Sequence, residues 1–272
     1  MTNDIDEAID WRGEEIHCEN CTHGNLLGAG RCSLRHACVH DRYARRIDRF
    51  FNWNPALAND YLNHPHFEVR AIAAKFADMF LLPPLLADPD ETVRWNAVRR
   101  LPRRYLLLLR ADPHREVRIR VASLLDEADL SPMIRDSDYY VRLVVARRAP
   151  PHLLPVMMND EEAEVRRVVA SRITGDALYV MAADEDPEVR LAVVRRLDAA
   201  RLSGFHRDPD WRVRYEAASR LPPHVLAEMV DDTDEMVRDF VRARLEEQKN
   251  SDSGGNVVRL ERRSNGQPSR RR

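Results

Sequence analysis

The chain has 272 residues, of which 44% are hydrophobic and 32% charged, and its formal net charge is -2. These values suit one or two domains with a real core and an elongated shape with much surface. The near balance of acidic and basic residues argues against nucleic acid as the partner of the whole chain. No apolar run is long enough for a membrane span, and the opening residues are acidic where a signal peptide would be basic and then apolar. We therefore expect a cytoplasmic protein with no membrane partner.

All four cysteines lie close together near the start of the chain, with the spacing C-x2-C-x10-C-x5-C. They are Cys18, Cys21, Cys32 and Cys38. In a reducing cytoplasm such a group is more typical of metal ligands than of disulfides. Two thiolates three positions apart can bind one metal ion or one edge of a cluster from a single turn, and the other two can close the coordination from a glycine-bearing loop. Spacing alone leaves tetrahedral zinc and an iron-sulfur cluster equally open, because it matches neither zinc ribbons nor ferredoxins.

Arginines and histidines surround these thiols in the sequence. The arginines could offset the charge of a tetrathiolate site. Asp41 and Asp48 are interleaved with them, however, so we interpret them as a solvated helix face. With four thiols present, histidine ligands are unnecessary, and we expect the histidines to lie near the site or on the surface. The residues concerned are Arg31, Arg35, Arg42, Arg45 and Arg46, and His17, His23, His36 and His40.

The segment from about Asp41 to Phe51 is predicted to be a helix, because Tyr43, Ile47 and Phe50 form one apolar stripe. We expect this stripe to belong to the core and to dock the cysteine-bearing domain onto the repeats that follow. The predicted domains are residues 1–55 for the cysteine domain, 56–248 for the repeats and 249–272 for a tail.

A Val-Arg pair then returns every 24 residues, eight times in register. No single unit of this length can bury its own apolar face, so neighbouring units must stack and share a continuous core. The sequence therefore predicts a solenoid. The pairs begin at Val69, Val93, Val117, Val141, Val165, Val189, Val213 and Val237.

Within a unit, numbered from its valine as position 0, the first half predicts an α-helix. Asp stands at -5 in seven of eight units, with His64 as the exception, and is expected to cap the helix N-terminus. Proline often follows it, position -3 is acidic in six units, and apolar residues recur at 0, +4 and +8. Arginine fills +7 in six units, where a cation meets the negative end of the helix dipole.

The second half of each unit predicts a shorter helix. Leucine stands at +13 in all seven complete units, and a large apolar residue stands at +16. About six residues remain after the first helix and the turns, and prolines interrupt them, so a 3₁₀ helix fits better than a second α-helix. Neither β-branched enrichment nor alternation favours a strand. The predicted fold class is therefore all-α.

The invariant arginine at +1 has two interpretations. It can form a buried ladder in which each guanidinium bonds the Asp at -5 or turn carbonyls of the adjacent unit. It can instead form a cationic stripe that grips phosphate or an acidic partner. We favour the ladder, because invariance across units is what a packing role requires, whereas a binding site would vary along the array.

The opening of each unit, Asp-Pro-Asp-x-x-Val-Arg-x-x-Ala-Val, resembles the first half of short HEAT-like repeats, but 24 residues are too few for their two comparable helices. Over roughly residues 64–245 the units most resemble the leucine-rich repeat variant family. The resemblance implies a right-handed superhelical solenoid of alternating α and short 3₁₀ helices. It also implies a small N-terminal domain that holds a [4Fe-4S] cluster on four cysteines. In this chain the candidates are Cys18, Cys21, Cys32 and Cys38, and zinc remains the alternative metal.

Beyond about Lys249 the pattern gives way to serine, glycine and asparagine and ends in arginines, which predicts a disordered tail. No phosphate-binding glycine loop or nucleophile elbow occurs, and the carboxylates fall at capping positions, so no catalytic residue is predicted.

The leading hypothesis is a non-catalytic iron-sulfur repeat protein. Its solenoid would bind another protein on the concave face, while the cluster serves structure, redox sensing or electron transfer. The alternative is a redox- or iron-responsive nucleic-acid-binding protein, whose affinity would fall steeply with salt. A cluster-dependent enzyme is disfavoured, because four thiolate ligands leave no open iron.

Overall fold

A computed structural model describes residues 7–261 of the chain, and the side chains of residues 7–250. Regular structure in these residues is helical, and the extended pairings are three isolated bridges near the N-terminus. The α-helices are α1 (Gly24–Gly28), α2 (Ala44–Trp53), α3 (Phe67–Phe76), α4 (Glu91–Val98), α5 (Arg115–Leu124), α6 (Tyr139–Arg148), α7 (Ala163–Arg172), α8 (Asp176–Val180), α9 (Pro187–Val194), α10 (Trp211–Ala218), α11 (Pro223–Leu226) and α12 (Glu235–Glu261).

Short 3₁₀ helices alternate with the repeat helices, which confirms the predicted all-α architecture. In two units part of this second element is a short α-helix, namely α8 and α11. The 3₁₀ segments are Cys18–Asn20, Pro55–Tyr61, Met79–Leu81, Pro83–Ala87, Arg103–Ala111, Glu127–Asp129, Ser131–Met133, Pro151–Met157, Met181–Ala183, Ala199–Arg201, Ser203–Arg207 and Ala227–Met229.

Each repeat helix begins at position -2, and its cap is the residue at -3 rather than the aspartate at -5. The Asp90 carboxylate accepts the backbone N–H groups of Thr92 and Val93, and Asp186 and Asp210 cap α9 and α10 in the same way. The prediction of a cap at -5 was therefore wrong. The -5 carboxylate lies before the helix and accepts the backbone N–H of residue -3, as Asp88 does from Asp90 at 2.9 Å.

The aspartate at -5 instead receives the arginine at +1 of the preceding unit. Arg94 places Nε and Nη2 on the two carboxylate oxygens of Asp112 at 2.7 and 2.6 Å, while Nη1 donates to the carbonyl of Asp88 at 2.8 Å. Both side chains are buried. Two parallel N–H···O bonds between charged groups are the strong, specific form of this interaction. The ladder interpretation of the invariant arginine is thus confirmed.

The same pairing recurs along the array. The further pairs are Arg70–Asp88 and Arg118–Asp136 in the first part of the chain and Arg166–Asp184, Arg190–Asp208 and Arg214–Asp232 in the second. In each of them one Nη also donates to the backbone carbonyl of the arginine's own unit at -5. One side chain therefore fixes the turn before its own helix and the turn before the next.

The arginine at +7 performs a second bridging role. Arg148 donates to the carbonyls of Ala122 and Leu125 at 2.5 and 2.7 Å, which lie at the C-terminal end of α5. The cation therefore meets the negative end of the preceding unit's helix. The prediction had placed it at the negative end of its own helix. The same contact is made by Arg100, Arg196, Arg220 and Arg244.

The core is built from the positions that the repeat pattern selected. The valine at 0 is at most 1% exposed in all eight units, and the leucine at +13 and the apolar residue at +16 are buried in all seven complete ones. Each fully buried side chain of this size stabilises the fold by about 1.5–3 kcal/mol. The helix and the 3₁₀ segment thus contribute one apolar face each to a shared interior.

The chain divides into two compact units, Met1–Arg148 and Ala149–Arg272. In the first, one apolar core runs from Cys32 to Leu101 and includes Ile47 and Phe50 of α2 together with Val69 of α3. The predicted docking of α2 onto the first repeat is therefore seen, although α2 begins at Ala44 rather than at Asp41. The core crosses the boundary expected near residue 55.

The last helix, α12, extends to Glu261. The predicted disordered tail therefore begins within a helix, and residues 262–272 lie outside the described part of the chain. Extending a helix that is already nucleated and capped costs far less than starting one, so α12 continues past the last repeat position. Asp234 supplies its cap by accepting the N–H groups of Met236 and Val237.

Removing one partner of a ladder pair will destabilise the fold strongly. Because Arg94 and Asp112 are both buried, Asp112→Asn leaves a buried guanidinium without its counter-ion, and we expect a loss of about 3–5 kcal/mol in the free energy of unfolding. The matched control is Asp126→Asn, whose exposed pair with Arg103 should contribute less than about 1 kcal/mol. Urea unfolding of the two variants checks this, and equal losses would contradict the ladder's role.

The ladder also predicts loss of stability in acid. Burial opposes ionisation of Asp88, but the hydrogen bonds from Arg70 and the Asp90 backbone and the charges of Arg70 and Arg94 outweigh it, so the pKa of Asp88 is lowered. Its stabilising contribution is complete above the ordinary aspartate pKa of about 3.9 and disappears as the pH falls through the lower folded-state pKa. The difference in unfolding free energy between wild type and Asp88→Asn should therefore shrink only below about pH 4. A difference that is constant down to acid pH would disprove the assignment.

Candidate cysteine metal centre

The first two cysteines lie on a single tight turn. Cys18 begins the 3₁₀ segment Cys18–Asn20, and the backbone N–H of Cys21 donates to the Cys18 carbonyl at 3.3 Å. Both side chains are partly exposed. The C-x2-C spacing thus places two thiols on one turn, as expected from the sequence.

The other two cysteines flank a closed backbone turn. Ser33 and Ala37 exchange backbone hydrogen bonds of 2.9 and 2.8 Å, and Arg35 between them has a φ of 64°. That left-handed conformation costs a residue with a side chain about 1–2 kcal/mol. The turn brings Cys32 and Cys38 together, and both are buried. Their thiols share a hydrogen bond.

Backbone N–H groups point at the sulfurs. The N–H of His23 donates to Cys21 Sγ at 3.4 Å, the N–H of His40 bonds Cys38, and the N–H of Ser33 bonds Cys32. Hydrogen bonds of this kind stabilise a thiolate and are one of the means by which proteins tune iron-sulfur sites. Each of these N–H groups favours negative charge on the sulfur that it faces, whereas the Ala37 carbonyl, which accepts a hydrogen bond from the Cys32 thiol at 3.3 Å, favours the neutral thiol.

The four thiols form one electrostatically coupled group. The hydrogen bond with Cys32 raises the pKa of Cys38, and burial raises it further. Burial also raises the pKa of Cys18, to which the charges of Cys38 and Cys21 add. Four thiolates so close together repel one another unless a cationic group lies among them, and metal binding removes the thiol protons. The chemistry of the donor set therefore fits a metal-sulfur cluster, in which each thiolate binds a different metal ion and no three sulfurs need to converge on one ion.

In the part of the chain that the structure describes, no three histidine, cysteine, aspartate or glutamate side chains converge closely enough to hold a single metal ion. Among the described residues, no helix has the length and apolar character required to cross a bilayer.

The arginines near the cysteines have protein partners. Arg46 is buried and donates from Nη1 to Asp41 at 2.9 Å and to the Glu7 carbonyl at 2.8 Å. Arg31 donates to the Trp53 carbonyl at 3.2 Å, and Arg42 pairs with Glu7 at 3.6 Å. Arg35 and Arg45 are exposed. Arg46 therefore anchors the N-terminal segment rather than forming the solvated face predicted for it.

The histidines divide into two groups. His17 and His36 are exposed, and His36 contacts Trp53 and Arg49. His23 and His40 are partly buried and stack at 6.2 Å between ring centroids. Their backbone N–H groups bond Cys21 and Cys38, so both residues lie beside the thiol group.

Tyr61 is part of this site, and sequence reasoning did not identify it. Its hydroxyl hydrogen-bonds the His23 ring nitrogen Nε2. Burial raises the pKa of Tyr61 to about 12, and the charge of Cys21 adds to the shift. Its sequence position could have identified it. Tyr61 lies 16 residues after Arg45, which is one repeat length before Val69, and +16 is the large apolar position of the seven complete units.

The fold and the thiol group define a helical repeat protein with a four-cysteine site near its N-terminus. A family profile described as "LRV protein FeS4 cluster" matches residues 8–60. A solved structure described as "a leucine-rich repeat variant with a novel repetitive protein structural motif" is 42% identical, with a TM-score of 0.78, and the match covers 85% of this chain and 99% of that one. This chain belongs to the leucine-rich repeat variant family.

A curated relative in Rhodobacter capsulatus carries the name "Uncharacterized 27.7 kDa protein in nifB 3'region". It is 51% identical over 96 residues, which cover 35% of this chain. The match spans 39% of that relative's own length.

Proposed function

We propose that this protein is a non-catalytic iron-sulfur repeat protein, in which Cys18, Cys21, Cys32 and Cys38 hold a [4Fe-4S] cluster and the repeats bind another protein. The observation that carries the proposal is the set of backbone N–H groups directed at Cys21, Cys32 and Cys38 within one coupled thiol group. The family profile over the same residues supports the identity of the cluster.

The chain's own residues prepare the site in three ways. The Ser33–Ala37 turn sets the two buried thiols side by side, and the turn at Cys18 sets the two partly exposed ones. The buried Arg46–Asp41 pair fixes the segment beneath them, because the Cys38 N–H also donates to the Arg46 carbonyl at 3.2 Å. A cluster bound to these thiolates supplies one-electron oxidation and reduction.

The repeat array supports a structural and binding role rather than catalysis. Its aspartates are occupied as helix caps at -3 and as ladder partners at -5, as Asp210 and Asp208 are. Its regular arginines are occupied at +1 by carboxylates and turn carbonyls, as in Arg190, and at +7 by helix carbonyls, as in Arg196. These rows therefore offer neither a reactive carboxylate nor a free cationic stripe for phosphate.

The cluster assignment predicts that each cysteine is needed for iron. Protein purified without oxygen should contain about four irons and four sulfides per chain and absorb visible light, and every Cys→Ser variant should lose both. His17→Ala and His36→Ala, which change exposed neighbours, should keep full iron content. Iron, sulfide and zinc analysis with visible spectroscopy checks this. One zinc and no colour in the wild type would disprove the iron-sulfur assignment.

The surface best suited to a partner is formed by position +15 of the repeats in the second compact unit, on their 3₁₀ side. This position is exposed in all seven complete units and is apolar in most, with Leu108 67% exposed in the first compact unit and Val180 68% exposed in the second. Exposed apolar side chains in consecutive repeats, such as Val156 and Val180 of the second compact unit, are typical of protein-binding surfaces. The last unit has Glu228 at +15, so the fold accepts a charge there.

Adding a charge at +15 should remove partner binding without unfolding the chain. Val180→Glu should stay within about 0.5 kcal/mol of wild type in unfolding free energy, because surface changes have small effects. It should nevertheless lose the partner that copurifies with wild type. Ser171→Glu, which places the same charge on an exposed site of α7, should retain it. Quantitative affinity purification compares the three proteins, and equal recovery of the partner would contradict the proposed surface.

A further inference from the structure

A connected set of aromatic rings leads from the cysteine centre to the surface of the first compact unit. It starts at His23, whose backbone bonds Cys21 Sγ at 3.4 Å and whose ring bonds the Tyr61 hydroxyl. The Tyr61 and His64 ring centroids are 5.9 Å apart, and those of His64 and Trp11 are 6.4 Å apart. The rings therefore follow one another without a gap.

The outer end of the set is exposed. Trp11 is 39% exposed and lies flat against the ring of His66, with 5.5 Å between centroids and 13° between planes. Packing one face of the indole against an imidazole while the rest of the ring is partly exposed fixes the ring in place and leaves it accessible to a second molecule. Trp11 is thus both held and accessible.

His64 occupies this set because it has been released from the ladder. The other units have aspartate at this position, and Asp88, Asp112 and Asp136, for example, are each bound by the arginine 18 residues earlier. The residue 18 before His64 is Arg46, which bonds Asp41 and the Glu7 carbonyl instead. The one departure from the repeat pattern at -5 therefore places an aromatic ring between Tyr61 and Trp11.

We propose that Trp11 is the point at which single electrons pass between the cysteine-bound cluster and a one-electron carrier protein, through the rings of His23, Tyr61 and His64. This inference rests on the proposed function, because it requires a cluster at the four cysteines. In the step, the reduced cluster loses one electron and the carrier gains one. No bond is made or broken, and no proton leaves the rings, which act as the medium between donor and acceptor.

A second exposed tryptophan offers a competing route for the electron. Trp53 is 38% exposed, and its ring lies 5.6 Å from that of His36, which precedes Cys38 by two residues. His36 is itself exposed, and its ring contacts Arg49. The set that ends at Trp11 begins with an N–H···S bond and a side-chain hydrogen bond, so it offers the more continuous connection to a sulfur.

The test measures how fast the reduced, cluster-loaded protein is oxidised by tris(bipyridine)ruthenium(III) generated by a laser flash, with cluster absorbance as the signal. Trp11→Leu and His64→Leu should slow the oxidation several-fold. Two control variants should match wild type: Trp11→Phe, which keeps a ring, and Trp211→Leu, which removes an equally exposed tryptophan far along the chain. Iron content and midpoint potential should be unchanged in all four variants, which separates a broken route from a damaged site.

An unchanged rate in Trp11→Leu, or a larger loss in Trp53→Leu, would overturn the inference and leave the proposed function standing. The inference alone would also fail if the wild-type cluster assembled but showed no reversible one-electron couple. Absence of iron and sulfide from the wild-type protein would overturn the proposed function together with it.

Discussion

The pairing of an arginine in one unit with an aspartate in the next is the interaction on which the repeat array depends. The repeat helices before α12 are only two to three turns long, so much of their backbone lies within four residues of an end and lacks an intrahelical partner. Without strands, no ladder of backbone bonds joins one unit to the next. The +1 arginine supplies that join with a carboxylate and a carbonyl at once, as Arg190 does with Asp208 and Asp184, and the +7 arginine closes the previous helix. This is why both arginines recur while the exposed positions between them vary.

The structural features that recur in every repeat could be predicted from the sequence. Eight copies in register make Val69 and its equivalents recognisable as core, and the same comparison identifies Leu82 and its equivalents. The number of residues left after the first helix predicts a 3₁₀ segment, and the invariance of the +1 arginine predicts that it is buried. The cysteine spacing correctly predicted one turn holding Cys18 and Cys21. In each case the physical cause acts within one unit or is repeated identically between units.

The sequence was a poorer guide where the cause lies between neighbours. The cap was misplaced by two residues because an aspartate before a helix looks the same whether its carboxylate faces its own first turn or the guanidinium of the preceding unit. The +7 arginine was likewise assigned to its own helix, although its carbonyl partners belong to the helix before it. Arg46 shows the same limit, since its sequence neighbours are charged and exposed while Arg46 itself is buried against Asp41. Tyr61 was not predicted as a site residue, because it lies in a degenerate unit that lacks the Val-Arg pair.

The junction between the cysteine segment and the array shows how a repeat protein acquires a site without losing stability. A ladder position can change its residue only if the arginine that would bind it finds another carboxylate, because an unpaired buried guanidinium is costly. Asp41 provides that carboxylate, and it does so from the segment that carries Cys38. The same substitution that ends the ladder thus ties the thiol-bearing loop to α2 and leaves position 64 open to an aromatic residue. The end of the ladder and the thiol-bearing loop are therefore linked through one ion pair, and a substitution of Asp41 would affect both.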